Sequence, residues 1–285
     1  MNPYRQLVDA TADQLRRAAG YPLGGFPFPP APALQPGAPV VMVFAPHPDD
    51  ECLVGALPLR LLREAGLRVV NVAITQGSRK DRQQARLEEL RNACGYLGFE
   101  VVPTAPGGLE KVNPKARGTD PAAWAKSVAI VAEIIRRYSP QIAVFPHDAD
   151  WNSTHIGTHL LVTDALRQLG AAYACATVET EFWAPLDDPN CMLECSATDI
   201  ADLMAATSFH VGEVQRNPYH LRLPAWMIDN VRRGGELVGG QGAAVPDFTF
   251  ATLYRVRRWN GSGFEDIWSQ GRMIAAAESI TRFPG

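Results

Sequence analysis

Val40-Val41-Met42-Val43-Phe44-Ala45-Pro46-His47-Pro48-Asp49-Asp50-Glu51 is the stretch on which the reading of this chain turns. Five apolar residues form a buried strand, and the chain then leaves it through an imidazole and three carboxylates. Ionisable groups at the exit of a buried strand carry a large desolvation cost unless something compensates them. A divalent cation does so best. Imidazole with carboxylate is a good donor set for Zn²⁺, and a hydrolytic site takes three protein ligands and one water. The stretch therefore points to a metal-dependent hydrolase.

Working outward, apolar strands alternate with helices. Strands are expected at Val40–Phe44, Arg68–Ile74, Glu100–Pro103, Gln141–Phe145, Thr177–Phe182 and Thr249–Val256. Helices are expected at Leu53–Ala65, Lys80–Leu97, Asp120–Tyr138, Ile156–Leu169 and Leu221–Arg233. Gly66, Gly98 and Gly170 stand where three of these helices stop, and Asp120-Pro121 opens another. This alternation predicts an α/β, Rossmann-like three-layer fold with a mostly parallel central sheet flanked by helices. Residues 1–39 read as an extension, an amphipathic helix at Tyr4–Ala19 followed by a Pro- and Gly-rich segment whose aromatics pack on the body. Residues 40–285 read as one catalytic domain. Gly234-Gly235 and Gly239-Gly240 lack the strand-turn-helix context of a phosphate cradle and read as loops.

Composition narrows the function further. A net charge of −3 argues against nucleic acid or an anionic membrane surface as partner. Five cysteines, odd in number and without a CxxC pair, suit a reducing compartment better than a disulfide scaffold. Cys52 follows the carboxylate run directly, but a small buried hydrophobe is the expected role rather than a thiol nucleophile. Met1–Arg17 is polar, with no apolar core of a signal peptide, and no run of ~18 apolar residues exists. The expectation is a soluble, cytoplasmic protein.

In such sheets ligands bind beyond the carboxyl ends of the strands. His47, Asp49 and Asp50 follow the first strand there, and His147, Asp148, Asp150, His155 and His159 follow the fourth. One of the adjacent carboxylates can bind a metal while the other takes a proton from its water. The second group must supply a further ligand, and His155 and His159, four apart, share one helical face.

Ala-Pro-His-Pro-Asp-Asp-Glu, followed by Pro146-His147-x-x-Asp150-x-Asn152-x-x-His155, resembles the PIG-L (LmbE-like) zinc deacetylases. Thr75-x-Gly77, Arg86-x-x-Glu89 and Leu97-Gly98 fall in the expected order, so the resemblance spans roughly Val40 to Leu169. It implies a Rossmann-like enzyme that removes acyl groups from N-acetylglucosaminyl and related amides. It implies His47, Asp50 and His155 as ligands of Zn²⁺, or of another divalent transition metal, and Asp49 as general base. His159 then stands one turn behind the ligand. The family often carries His where this chain has Asn152, which keeps the oxyanion role but supplies no proton near neutral pH. Asp49 is then the favoured donor to the leaving amine. Arg86, Asp150 and His159 are the substrate-binding candidates, with orientation of a ligand histidine as the other use of Asp150. The implied partner is a small-molecule amide, an amino sugar or glycoside, with homo-oligomer formation left open. An amidase acting on a thiol conjugate, and a metal- or carbohydrate-binding protein without catalysis, are the competing readings.

Overall fold

The computed structural model describes residues 2–284. Its strands are β1 (Val40–Ala45), β2 (Arg68–Ala73), β3 (Glu100–Pro103), β4 (Ile142–Pro146), β5 (Cys175–Thr180), β6 (Cys191–Glu194), β7 (Ala251–Trp259), β8 (Phe264–Asp266) and β9 (Arg272–Ile274). They form one sheet in the order β3-β2-β1-β4-β5-β7-β6-β9, with β8 paired to β7. Strands β1 to β5 run parallel, and β7 joins antiparallel to both β5 and β6. The chain steps outward from β1 to β2 and β3, then returns to lay β4 on the other side of β1. The strand order reverses there, so a crevice opens beyond the ends of β1 and β4. The Val43↔Val144 register brings those two strand ends side by side.

The helices are α1 (Tyr4–Ala18), α2 (Asp50–Leu53), α3 (Leu57–Ala65), α4 (Gln83–Leu97), α5 (Pro114–Thr119), α6 (Pro121–Tyr138), α7 (Ser153–Leu169), α8 (Ala197–Ser208), α9 (Val211–Val214) and α10 (Leu223–Gly239). Alternate residues of β1 serve opposite layers, as the strand period of two requires. Val41 and Val43 meet Leu57, Leu61, Leu90 and Leu203 on one face. Met42 and Phe44 meet Val128, Val131, Leu161 and Val162 on the other. This is the α/β fold expected from the sequence, with a mostly parallel sheet between helical layers.

Several boundaries differ from the expectation. The helix expected at Leu53–Ala65 is two helices, α2 and α3, broken at Gly55. Gly55 has φ +77°, and a Cβ there would lie 2.4 Å from Thr252 Cγ2 and 2.5 Å from the Tyr254 hydroxyl. That hydroxyl donates to Val54 O, so a strand 200 residues downstream holds the break. Gly234 and Gly235 are not a loop but lie inside α10. Gly234 admits Met192 so closely that a Cβ would stand 2.6 Å from its sulfur. β6, β8, β9, α5, α8 and α9 lie outside the expected elements. In the N-terminal extension α1 buries none of its residues. Phe26 and Phe28 after it pack edge-on against Phe209, with centroids 6.1 and 6.0 Å away. No helix among the described residues is long and apolar enough to cross a membrane.

Candidate metal centre

The Pro46–Glu51 turn is built so that its own backbone aims the carboxylates. Asp49 adopts φ +115°, a strained conformation for a residue with a side chain. It is held there by Glu51, whose Oε2 accepts the Asp49 N–H at 2.9 Å. Asp50 opens α2, and its Oδ2 accepts the His47 N–H at 2.9 Å. Glu51 is fully buried and its other oxygen lies 2.6 Å from His210 Nε2. Glu51 and His210 thus brace the turn from behind and leave Asp49 and Asp50 on the open side.

On the neighbouring strand exit, Asn152 caps α7 by accepting the Thr154 N–H at 2.8 Å. The first turn of α7 then places His155 opposite His47. His47 Nδ1, Asp50 Oδ2 and His155 Nε2 lie 3.3 Å apart in every pair. A tetrahedral centre with bonds of about 2.0–2.1 Å sets its ligands about 3.3 Å apart, so the triangle has the edge length such a centre requires. Asp50 and His155 are buried, while His47 keeps 21% of its side chain exposed, which leaves a way in. Asp150 Oδ2 stands 3.6 Å from His155 Nδ1 on the far side of the ring. Its own oxygens accept the N–H groups of Asn152, at 2.7 Å, and Trp183, at 3.1 Å. A carboxylate behind a ligand histidine fixes the ring and its tautomer.

The electrostatics agree with a site that demands positive charge. Burial opposes a charged His155, yet the Asp50 and Asp150 carboxylates outweigh it and lift the imidazole to about 10. Burial would raise Asp50, but His155 and His47 hold it well below the usual carboxylate range. Asp49 goes the other way, to about 6, chiefly through burial and then through repulsion by Asp50. Adjacent carboxylates with pKa values pushed apart can take different roles.

Arg86 reaches back from α4 to donate to Pro48 O at 2.9 Å, and its guanidinium stands 4.0 Å from Asp49 Oδ1. It does so over Gly77, where a Cβ would meet Arg86 Nη1 at 2.3 Å, so Thr75-x-Gly77 and Arg86 act together. Arg86 does not pair with Glu89, whose Oε1 accepts the Gly212 N–H. With His47, Lys80, Gln83, Asn113 and Thr154, Arg86 lines a polar cavity of about 450 Å³.

Other candidates from the sequence are placed elsewhere. His159 is outside the triangle and the cavity. Its Nδ1 lies 3.1 Å from Pro146 O and 3.3 Å from Glu179 Oε1 on β5, which turns it away from a substrate in the cavity. Asp150 is 3% exposed, with its oxygens engaged as above, and stands behind the His155 ring outside the lining of the cavity. His147 is buried, with Nε2 3.0 Å from Ala184 O. All five cysteines are free and buried, and burial together with Glu51 pushes the Cys52 thiol well above its ordinary value, away from a nucleophile's range. Trp151 stands 78% exposed on the ligand loop.

Two groups escaped sequence reasoning. The Tyr219 hydroxyl donates to Asp49 Oδ2 from 170 residues away. The Phe182 ring packs edge-on against His155, with centroids 4.9 Å apart. Neither sits in a motif, and no local signal marks them.

Residues 42–166 match the family model described as PIG-L: GlcNAc-PI de-N-acetylase. Over that span the chain is similar to the PIG-L family. The matched span holds both strand exits and all three corners of the triangle. In fold, the chain is similar to a conserved protein from Thermus thermophilus (TM-score 0.55, 19% identity, 75% of this chain and 93% of that one). It is similar to the 4-carboxy-2-hydroxymuconate hydratase GalB of Pseudomonas putida (0.56, 17%, 76% and 95%). It is also similar to the N,N'-diacetylchitobiose deacetylase of Pyrococcus horikoshii (0.54, 14%, 90% and 93%). A hydratase and a deacetylase share this architecture, so the scaffold alone does not choose the reaction. No curated protein matches the chain in sequence.

Proposed function

We propose that this protein is a zinc-dependent deacylase of the PIG-L type that frees the amine of an N-acylated amino sugar, with acetyl as the reference acyl group. The observation that carries the reading is the triangle of His47 Nδ1, Asp50 Oδ2 and His155 Nε2 at tetrahedral edge length, with Asp49 beside it. The family match and the likeness to a deacetylase of a diacetylated sugar support the choice of amide.

The three residues would hold the ion. When bound, it supplies Lewis acidity for the acyl oxygen and acidifies a water. The chain's own groups do the rest. Asp49 accepts a proton from the attacking water, whose oxygen bonds to the acyl carbon. The C–N bond then breaks, and Asp49 returns the proton to the leaving nitrogen, so the acyl group departs as a carboxylate. Tyr219 and Arg86 hold the Asp49 carboxylate on either side during both transfers. Asn152, at the first residue before α7, is the candidate donor to the oxyanion.

The test pairs metal analysis with turnover. The purified protein should hold about one zinc per chain, and Asp49→Asn should retain it while acetate release from N-acetyl amino sugars falls ~10³-fold or more. A protein that takes up no divalent metal, or an Asp49→Asn variant with undiminished turnover, refutes the reading.

A further inference from the structure

A second cavity adjoins the same centre and shares no lining residue with the polar one. It holds about 120 Å³ and is walled by Leu53, Phe182, Trp183, Tyr219, Leu223 and Trp226, with Arg222 at its side. Two of its walls touch the reacting groups. Tyr219 donates to Asp49, and Phe182 packs on His155. Leu53 ends the helix that Asp50 begins.

The walls are held in place. The Trp226 indole N–H donates to Glu181 Oε2 at 3.3 Å, and Glu181 is locked by Arg233. Trp183 is fixed through its backbone N–H to Asp150, the residue that orients His155, and its ring meets Tyr219 edge-on at 6.3 Å. Yet Trp183 stays 47% exposed. An indole held against Tyr219 on one side and left half open to water beside the triangle is apolar surface awaiting an apolar group.

We propose that this aromatic pocket is an acyl subsite, and that the preferred substrates carry an acyl chain longer than acetyl, a four- to six-carbon or phenyl-bearing group. The inference rests on the deacylase reading. A bound amide has two halves, and the site offers two cavities of opposite character. The polar cavity, with Lys80, Arg86, Lys111 and Asn113, suits the hydroxyl-rich amine half. The aromatic one has few polar groups, and its Tyr219 hydroxyl is already donated to Asp49, so it suits hydrocarbon. Its volume is close to that of a ~150 Å³ apolar void that accepts benzene. An acetyl methyl would leave most of it empty.

The experiment is a chain-length series on the zinc-loaded full chain. N-acetyl-, N-butyryl-, N-hexanoyl- and N-benzoylglucosamine are compared by amine release, and acetate and hexanoate are compared by calorimetric binding. Each buried methylene is worth about fourfold, so kcat/KM for hexanoyl should exceed acetyl by at least about tenfold, and hexanoate should bind tighter than acetate. In Trp183→Ala the hexanoyl-to-acetyl ratio should fall several-fold. The ratio is taken within one variant, so a general loss of activity cancels. Acetyl turnover equal to or faster than hexanoyl, with hexanoate bound no better than acetate, overturns the subsite and leaves the deacylase standing. No amine release from any member, with hexanoate still bound tightly through Trp183, sinks the deacylase and keeps the pocket's ligand class.

Discussion

Replacing Asp150 by Asn tests whether the site is a metal centre whose ligand is aimed from behind. Asp150 is acceptor-only: it accepts the N–H groups of Asn152 and Trp183, and His155 Nδ1 stands 3.6 Å from its Oδ2. Asn keeps the shape but turns one oxygen into an NH₂. If its oxygen stays with Asn152, the NH₂ meets the Trp183 N–H and His155 Nδ1, which favours the wrong imidazole tautomer. Loss of such an outer partner weakens metal binding by about 10- to 100-fold, or ~1.4–2.7 kcal/mol. One buried N–H left without an acceptor adds about 1–3 kcal/mol of instability. Competition against a chromogenic zinc chelator at fixed pH reads the first quantity, and thermal unfolding of the metal-free protein reads the second. A folded Asp150→Asn variant whose zinc affinity stays within twofold of the parent would refute the argument, because His155 would then need no aiming.

Other substitutions separate the roles of neighbouring groups. His155→Ala should abolish stoichiometric zinc, whereas His159→Ala should keep it and lower the Tm, since His159 faces Pro146 and Glu179; metal analysis of both variants decides. Tyr219→Phe removes a hydrogen bond to a carboxylate, worth about 1.5–3 kcal/mol, so kcat should fall ~10- to 100-fold with zinc content unchanged; steady-state kinetics would show otherwise if the hydroxyl were idle. Away from the site, Asp164 resists protonation: burial would raise it, but hydrogen bonds from Arg117 and Trp124 hold it below the usual carboxylate range. A group depressed on folding stabilises above its unfolded pKa, near 3.9, and loses that contribution as pH falls through its folded value. Asp164→Asn should therefore lower the Tm at pH 7 and lower it less near pH 3, as a pH series of melting curves would reveal.

The sequence by itself determined the parallel core of the sheet and the setting of the His/Asp groups at two neighbouring strand exits. Val40–Phe44 is apolar on both faces, which only a strand covered on two sides tolerates, and the His47-Pro48-Asp49-Asp50 run at its end has few uses other than a cation. His155 was legible because it follows a second strand exit in the same pattern. Which member of each local pair does the work needed three dimensions. Asp49 and Asp50 are chemically alike, and the turn separates them: the His47 N–H claims Asp50, while the left-handed backbone of Asp49 points its carboxylate to Tyr219. His155 and His159 share a helix face, but four residues of α-helix advance about 6 Å, enough to carry His159 away from the triangle to Glu179 on β5. Tyr219, Phe182, Trp183 and Trp226 were illegible as a site because nothing local ties an aromatic to a pocket. Only the packing of the segment after β5 and of the turn and helix at Tyr219–Gly239 beside the β1–β4 crevice brings Tyr219 to Asp49 and Phe182 to His155. Local chemistry is written in contiguous residues, whereas the shape that receives a substrate is set by contacts between segments distant along the chain.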